Sequence, residues 1–255
     1  MLHIASLTVF LLVFIRVFSF MIISPFFVLP GIPVLARLGL SFCLAIVIYP
    51  VLPEAPVSVS GGLIGYILAL TKETGIGLSL GILVNIIFSG IRNAGQYMDF
   101  QMGFGLANAV DPLTGAQVTI LGQFMNLLGL VFFFNIDGHH RLINALEQSY
   151  QFVPLNTAGF NCTSGLIAVK AFASMSLLAL QISAPLLAVL IIVDLALGFV
   201  AKAAPQINVF LLGLPLRILT GLFILFIIMP LFATPLAKVF SLMEKYVYYL
   251  LKGLS

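Results

Sequence analysis

Charge is what this sequence of 255 residues has least of. Only 7% of its residues are Asp, Glu, Lys or Arg, whereas an ordinary soluble domain carries about 25%. The sequence also has no Trp and only 2 Cys. Its 11 basic and 8 acidic side chains are too few to cover a soluble protein of this size that is 62% hydrophobic. The composition therefore excludes a cytosolic enzyme, a disordered linker protein and a nucleic-acid-binding protein.

Two motifs of catalysis and cofactor binding are missing as well. The sequence has no His-Glu-x-x-His and no Gly-x-x-x-x-Gly-Lys-Ser/Thr. His139 and His140 are adjacent, and adjacent positions on a helix point about 100° apart, so we do not expect them to chelate one metal. Asp99 and Asp194 are the only acidic pair that resembles an intramembrane aspartyl dyad, and their flanking residues do not suggest one. We predict no catalytic residue, no cofactor and no metal site.

Long apolar stretches dominate the sequence instead. A helix needs about 20 apolar residues to cross the hydrocarbon core of a membrane, and no stretch alternates long enough to predict a β-barrel. We therefore predict an all-α fold of membrane-type helical hairpins, built from about six hydrophobic elements and an amphipathic tail. The predicted elements are residues 4–29, 34–52, 61–91, 118–136, 166–200 and 206–233, and the tail carries Lys238, Lys245 and Lys252.

Several charged residues fall in the middle of these apolar elements: Arg16, Lys72, Glu73, Asp194 and Arg217. Each would cost about 2.5–3.5 kcal/mol at the centre of an isolated membrane helix, so these side chains should face protein or water. The positive-inside rule does not choose an orientation, because both sides carry similar numbers of Lys and Arg. We infer that the chain is one piece of a larger helical assembly.

Small residues cluster in the third element. Gly61 and Gly65, and then Gly77 and Gly81, have the four-residue spacing that lets helix backbones approach closely. Packing against partner helices and packing within the same chain both account for this spacing, and neither implies chemistry.

A polar, glycine-rich stretch covers residues 89–117. Arg92, Gln96 and Asp99 recur at i, i+4 and i+7, so they share one helix face, and the helix should weaken from Gly103 onward. Irregular backbone is tolerated at membrane depth only where protein buries it or water wets it. A loop lining a water-filled passage and a plain solvent loop both satisfy this rule, and composition alone favours the solvent loop.

Several short blocks of residues occur in a specific order and spacing along nearly the whole chain. They are Arg16, Pro25, Ile32-Pro33, Arg37-Leu38-Gly39-Leu40, Arg92-x-x-Gly95, Gln101-Met102-Gly103, Asp111-Pro112, Gly138-His139, Leu195-Ala196-Leu197-Gly198, Ala204-Pro205-Gln206, Asn208-Val209-Phe210 and Gly213-x-Pro215-Leu216. On these blocks the chain resembles the FliR family, a subunit of the bacterial flagellar type III export gate, and more distantly the matching SctT-type subunit of virulence secretion systems. One departure is Asp137, where the resemblance leads us to expect Asn.

The resemblance implies a non-enzymatic structural and gating subunit of the flagellar protein export channel, in the bacterial inner membrane at the flagellar basal body. It implies assembly with FliP and FliQ type subunits into a helical cone, with FlhB and FlhA as neighbours and unfolded exported proteins as cargo. The single subunit, residues 1–255, would join a FliP-like part, about 1–200, to a FliQ-like part, about 201–255. The alternatives are the equivalent virulence subunit and a small-molecule membrane transporter.

The resemblance also implies that the loop after Gln101-Met102-Gly103 enters the pore and helps to plug it, which reverses the preference for a solvent loop. Flexible apolar side chains suit such a gate, because Met repacks easily and apolar constrictions can close by dewetting. The predicted plug residues are Met102, Gly103, Phe104, Gly105, Asn108, Asp111, Pro112, Thr114 and Gly115. The residues predicted to contact partner subunits are Arg16, Arg37, Lys72, Glu73, Arg92, Asp99, Asp194, Pro205, Gln206 and Arg217.

Overall fold

Helices account for the regular secondary structure in the part of the chain that the structure describes. The computed structural model describes residues 2–27, 32–52, 62–105, 119–157, 159, 162–206 and 208–254, and these ranges contain no strand. The all-α prediction is confirmed. The helices are α1 (Leu2–Ile23), α2 (Val34–Ile48), α3 (Gly62–Met102), α4 (Ile120–Asn135), α5 (Gly138–Phe152), α6 (Cys162–Ala203), α7 (Val209–Ile228) and α8 (Ala233–Leu254), with 3₁₀ turns at Tyr49–Val51 and Met229–Phe232.

Each predicted hydrophobic element contains a helix, but the ends differ. The third hydrophobic element ends at about Ile91, and α3 continues beyond it to Met102, in agreement with the helical spacing of Arg92, Gln96 and Asp99. Helix α5 is not among the predicted elements. Only one of its faces is apolar, with Leu142 and Leu146 buried, so it lacks the continuous apolar run that marks the other helices.

Several helices can cross a membrane by length and composition. Among the described residues, four stretches meet this condition, or five if α4 and α5 count as one interrupted span. Helices α3 and α6 have 41 and 42 residues, so each is about 60 Å long, about twice the thickness of the hydrocarbon core. In the apolar stretch of each helix, 56% of the residues are buried in α3 but only 11% in α6. Helix α6 therefore exposes apolar side chains, from Leu166 to Val200, over a length that one bilayer does not cover.

One compact unit of the chain consists of Met1–Ile87, Ile136–Ala171 and Ser241–Ser255. In it, α1 and the first part of α3 cross very closely at Gly77. A Cβ atom at Gly77 would collide with the Ser19 side chain and the Arg16 carbonyl, and one at Gly81 would lie 3.0 Å from the Phe20 carbonyl oxygen. The Gly77 and Gly81 pair thus serves packing within the chain. Gly61, of the other pair, lies outside the described residues.

The second compact unit consists of Phe88–Asn135 and Phe172–Phe240. The rings of Phe88, Phe133 and Phe240 meet in its core, with centroids 5.3 to 5.6 Å apart, in the tilted arrangements that aromatic quadrupoles favour. Helices α3 and α4 approach closely at two glycines, because a Cβ atom on Gly95 would lie 2.6 Å from the Gly122 Cα. This crossing brings the end of α3 beside the start of α4.

Candidate functional site at the end of helix α3

Helix α3 ends where the predicted plug begins. Gly103 adopts φ +92°, a left-handed conformation that glycine takes without a steric penalty. Its N–H donates to the Asp99 carbonyl oxygen at 3.1 Å and to the Phe100 carbonyl oxygen at 3.3 Å, as is common at helix C-termini. Helix α3 therefore ends at Met102, directly before the glycine at which the sequence predicts that the helix weakens.

The side chain of Asp99, one turn before the end of α3, holds the first turn of α4. Its carboxylate accepts hydrogen bonds from the Leu121 N–H, at 2.9 and 3.1 Å, and from the Gly122 N–H at 3.2 Å. Asp99 is 1% exposed. A carboxylate at this place satisfies N–H groups that have no partner inside α4 and is favoured by the helix dipole. Asp99 therefore ties the start of α4 to the last turn of α3.

Met102 is packed into the base of this segment. Its side chain is fully buried, and it fills the space that Gly221 of α7 leaves open: a Cβ atom there would lie 2.5 Å from the Met102 Cε and 2.8 Å from its Sδ. The resemblance predicts that Met102 helps to occlude the pore from the loop. The structure places it in the interior of its unit, while Phe104 and Gly105 are partly exposed.

A polar cluster adjoins the same helix end. Gln101 donates through Nε2 to Asp194 Oδ2 at 3.1 Å, and Arg217 Nε lies 2.5 Å from Asp194 Oδ1. The side chains of Asp194 and Arg217 are 29% and 37% exposed, so solvent screens their attraction. Asp194 and Arg217 thus find opposite charges within their own chain. Asp99 and Asp194 thus have separate partners, the α4 amides for Asp99 and Gln101 and Arg217 for Asp194.

A second buried network lies in the first compact unit. Arg16 Nε and Glu73 Oε2 are 2.5 Å apart, and both side chains are 0% exposed. The guanidinium also donates to the carbonyl oxygens of Ser149, at 3.1 Å, and Val153, at 3.0 Å. Arg16 and Glu73 are predicted to contact partner subunits, whereas the structure pairs them with each other inside the chain. A charge without a partner would be too costly in this interior.

Helix α5 and the residues after it complete this network, and sequence reasoning missed them. The Arg16 guanidinium lies 4.2 Å from the centroid of the Tyr150 ring. Asn156 donates its N–H to Glu73 Oε1 at 2.9 Å and accepts from Lys72 Nζ, through its carbonyl oxygen, at 3.2 Å. Only the helical spacing of apolar residues in α5 signalled a buried face, and no local pattern linked that face to Arg16.

The other predicted contact residues are more accessible. Arg37 is half-buried and donates to the Ile32 carbonyl oxygen at 3.2 Å, whereas Arg92, Pro205 and Gln206 are exposed. The last two lie in the connection between α6 and α7. Five predicted plug residues lie outside the described residues: Asn108, Asp111, Pro112, Thr114 and Gly115.

The two adjacent histidines come closer together than their positions on an ideal helix predict. Donor atoms of Asp137, His139 and His140 all lie within 4.8 Å of one another, and the two imidazole centroids are 4.2 Å apart. Asp137 has φ 55° at the break before α5, so the three side chains crowd around the first turn of that helix. The expectation that His139 and His140 must diverge is therefore wrong.

Comparison with known proteins assigns the chain to a family. The family model described as bacterial export proteins, family 1, matches residues 7–243. The chain belongs to this family. It is 37% identical over 237 residues to the flagellar biosynthetic protein FliR of Bacillus subtilis, covering 91% of this chain and 90% of that protein. Proteins of the same name from Escherichia coli and Aquifex aeolicus are 29% and 27% identical, over 89% and 91% of this chain and 86% and 89% of their own lengths.

The stretch of sequence shared with the bacterial export family contains both networks. Arg16 and Glu73 lie within residues 7–243, as do Asp99 and the polar cluster around Asp194. The base of the predicted plug is therefore part of the region on which membership rests.

Proposed function

We propose that this protein is a structural and gating subunit of the flagellar type III protein export channel, in the bacterial inner membrane at the flagellar basal body. The family match over residues 7–243, together with the flagellar biosynthetic relatives, carries this proposal. The role requires no catalytic residue. The subunit builds a conduit and helps to close it, and exported proteins pass through it unfolded.

The exposed apolar surface supports assembly with other chains. Helix α6 is about twice as long as the hydrocarbon core is thick, yet large apolar side chains such as Leu166, Phe172, Ile192 and Phe199 are more than half exposed along it. Patches of this kind mark protein or membrane contacts. In our proposal, FliP and FliQ type subunits cover the exposed apolar side chains that the lipid does not cover. FlhB and FlhA are further neighbours. A FliP-like part over about residues 1–200 and a FliQ-like part over 201–255 belong to the same proposal.

The anchored ends of the segment from 104 to 118 support its role as the plug. A gate for an unfolded chain must seal against ions and still give way to the moving polypeptide. Gly103 sets the direction in which the chain leaves α3, and Asp99 ties the far end to the same helix. The base from which the predicted plug extends is packed, because the Met102 side chain is fully buried.

Co-purification tests the assembly. We expect the tagged protein, extracted from its own bacterium in mild detergent, to bring FliP and FliQ type chains with it. A stable monomer that remains active as a small-molecule transporter in a flux assay would overturn the proposal in favour of the transporter.

Deletion of residues 103–115 tests the plug. Because Asp99 lies within hydrogen-bonding distance of Leu121, the three remaining residues of the segment can bridge α3 and α4. We expect the complex to assemble and the cells to leak small solutes and ions. Cells that lack the whole protein are the control, because without a complex they should not leak. Unchanged permeability with a fully assembled complex would show that residues 103–115 do not plug the channel.

A further inference from the structure

Three side chains that can ligate a metal ion meet at the start of α5, in the first compact unit. Donor atoms of Asp137, His139 and His140 all lie within 4.8 Å of one another, and His140 Nδ1 lies 3.6 Å from Asp137 Oδ1. The side chains of His140 and Asp137 are 68% and 75% exposed, whereas His139 is half-buried. The cluster therefore rests against the protein on one side and is open to ions in solution on the other.

The carboxylate of Asp137 is not used to cap the helix. Asp137 is the N-cap residue of α5 and has φ 55°, a left-handed conformation that Asp adopts more readily than most residues. An Asp at this position usually accepts a hydrogen bond from an N–H of the first turn, but the Asp137 side chain makes no capping bond. Its oxygen lies instead beside the imidazole of His140.

The positive charges near the cluster are small or offset. Arg141 follows directly in sequence, but its guanidinium lies 2.6 Å from the Glu244 carboxylate, so an opposite charge accompanies it. The positive end of the α5 dipole opposes a bound cation by about two- to fivefold in affinity. Loss of even an outer contact to a metal ligand costs about 10- to 100-fold, so three direct ligands outweigh the dipole.

We propose that Asp137, His139 and His140 bind a divalent transition-metal ion such as Zn²⁺. Imidazole nitrogens suit Zn²⁺, whereas Mg²⁺ and Ca²⁺ prefer oxygen ligands. Bonds of about 2.0–2.2 Å to Zn²⁺ place two ligand atoms about 3.3 Å apart. The donor atoms, now within 4.8 Å, therefore need to close by about 1.5 Å or less, which rotation of the exposed side chains supplies.

The site uses one ring nitrogen of each histidine. A ligating histidine commonly donates its other N–H to a protein group, so a hydrogen-bonded His139 is still a competent ligand. Water completes the coordination of a zinc ion that has three protein ligands. The sequence predicts no metal site here, because adjacent helical positions point about 100° apart. The imidazole centroids are only 4.2 Å apart, which removes that objection.

Equilibrium dialysis of the full-length protein against Zn²⁺ tests the proposal. The protein is kept in detergent and carries no polyhistidine tag. We expect saturable binding of one Zn²⁺ ion per chain, which excess Mg²⁺ does not displace. His140→Gln and Asp137→Asn should each weaken binding at least about tenfold. The matched control is His3→Gln, which removes the remaining histidine of the sequence and should leave the affinity unchanged.

A second measurement uses the unaltered chain and so does not depend on whether a variant folds. Diethyl pyrocarbonate modifies accessible imidazoles, and mass spectrometry locates the modified residues. We expect Zn²⁺ to slow the modification of His139 and His140 and to leave that of His3 unchanged.

Several results would overturn the proposal. They are the absence of saturable binding, an undiminished affinity in His140→Gln, and displacement of Zn²⁺ by an equal concentration of Mg²⁺. Protection of His3 alone, or equal weakening by His3→Gln, would place the ion elsewhere in the chain. Because both measurements use the isolated chain, their outcome does not depend on the export function.

Discussion

The substitution Asp99→Asn tests whether the start of α4 is held to the end of α3 as the structure indicates. The change keeps the size of the side chain and one acceptor oxygen. It replaces the other oxygen with an NH₂ group, a donor that faces the N–H groups of Leu121 and Gly122. Since Asp99 is 1% exposed, water does not reach the site to replace the missing hydrogen bond.

The size of the effect follows from the hydrogen bonds that the substitution removes. A hydrogen bond to a charged group contributes about 1.5–3 kcal/mol, and removal of a buried carboxylate recovers part of its desolvation cost. We therefore expect a net destabilisation of about 1–2 kcal/mol, which raises the population with a detached α4 start about five- to thirtyfold. The same factor should appear in the leak of the closed channel, if detachment of this anchor is what loosens the plug.

Two measurements on the purified complex check this prediction. Hydrogen exchange at the amides of Leu121 and Gly122 reports the anchor directly, and proton leak from vesicles that contain the complex reports the gate. The control is Asp137→Asn, the same change at the start of α5, where the side chain makes no capping hydrogen bond. We expect faster exchange and a larger leak for Asp99→Asn and neither for the control.

The possible failures are distinct. Unchanged exchange at Leu121 and Gly122 would refute the anchor itself. Faster exchange without added leak would support the hydrogen bonds of Asp99 to α4 but show that they do not control the plug.

Two further substitution sets probe the first compact unit. Arg16→Met leaves the Glu73 charge buried and unpaired, so it should lower the free energy of unfolding by about 3–5 kcal/mol; combining it with Glu73→Leu should recover much of that stability. Denaturation of the isolated chain in detergent, followed by circular dichroism, measures both, and a double variant less stable than the single one would contradict the pairing. Gly77→Ala should cost about 1–3 kcal/mol because its Cβ meets the Arg16 backbone. Gly39→Ala, where nothing lies within 4 Å, should gain up to about 1 kcal/mol from helix propensity. Equal midpoints of thermal unfolding for the two alanine variants would contradict the close crossing.

The helices and their class could be predicted from the sequence because both depend on local composition. Long uncharged runs that are not closed into a barrel can bury their backbone polar groups in an apolar medium only as helices, and helix covers most of the described part of each predicted element. Gly103 is also local information, since glycine tolerates the left-handed conformation that ends α3 there. Helix α5 was missed because its apolar residues cover one face, and such a pattern gives a weaker signal than an uninterrupted run.

The partners of the charged residues could not be predicted in the same way. Mid-element charges indicate a need for partners, and sequence reasoning assigns those partners to other subunits. The structure supplies several of them from distant parts of the same chain instead: Glu73 lies 57 positions from Arg16, and the α4 amides lie 22 and 23 positions from Asp99. Contacts across such separations leave no local periodicity in the sequence.

The sequence by itself determined that this protein is helical and membrane-type, since those properties are sums over local residue preferences. Its motif blocks also pointed to the export family. Only the tertiary structure decided that Arg16 is neutralised inside its own chain and that Asp99 holds the start of α4. Helix packing chooses among many possible charge partners by bringing a particular few into contact, and that choice depends on the whole fold.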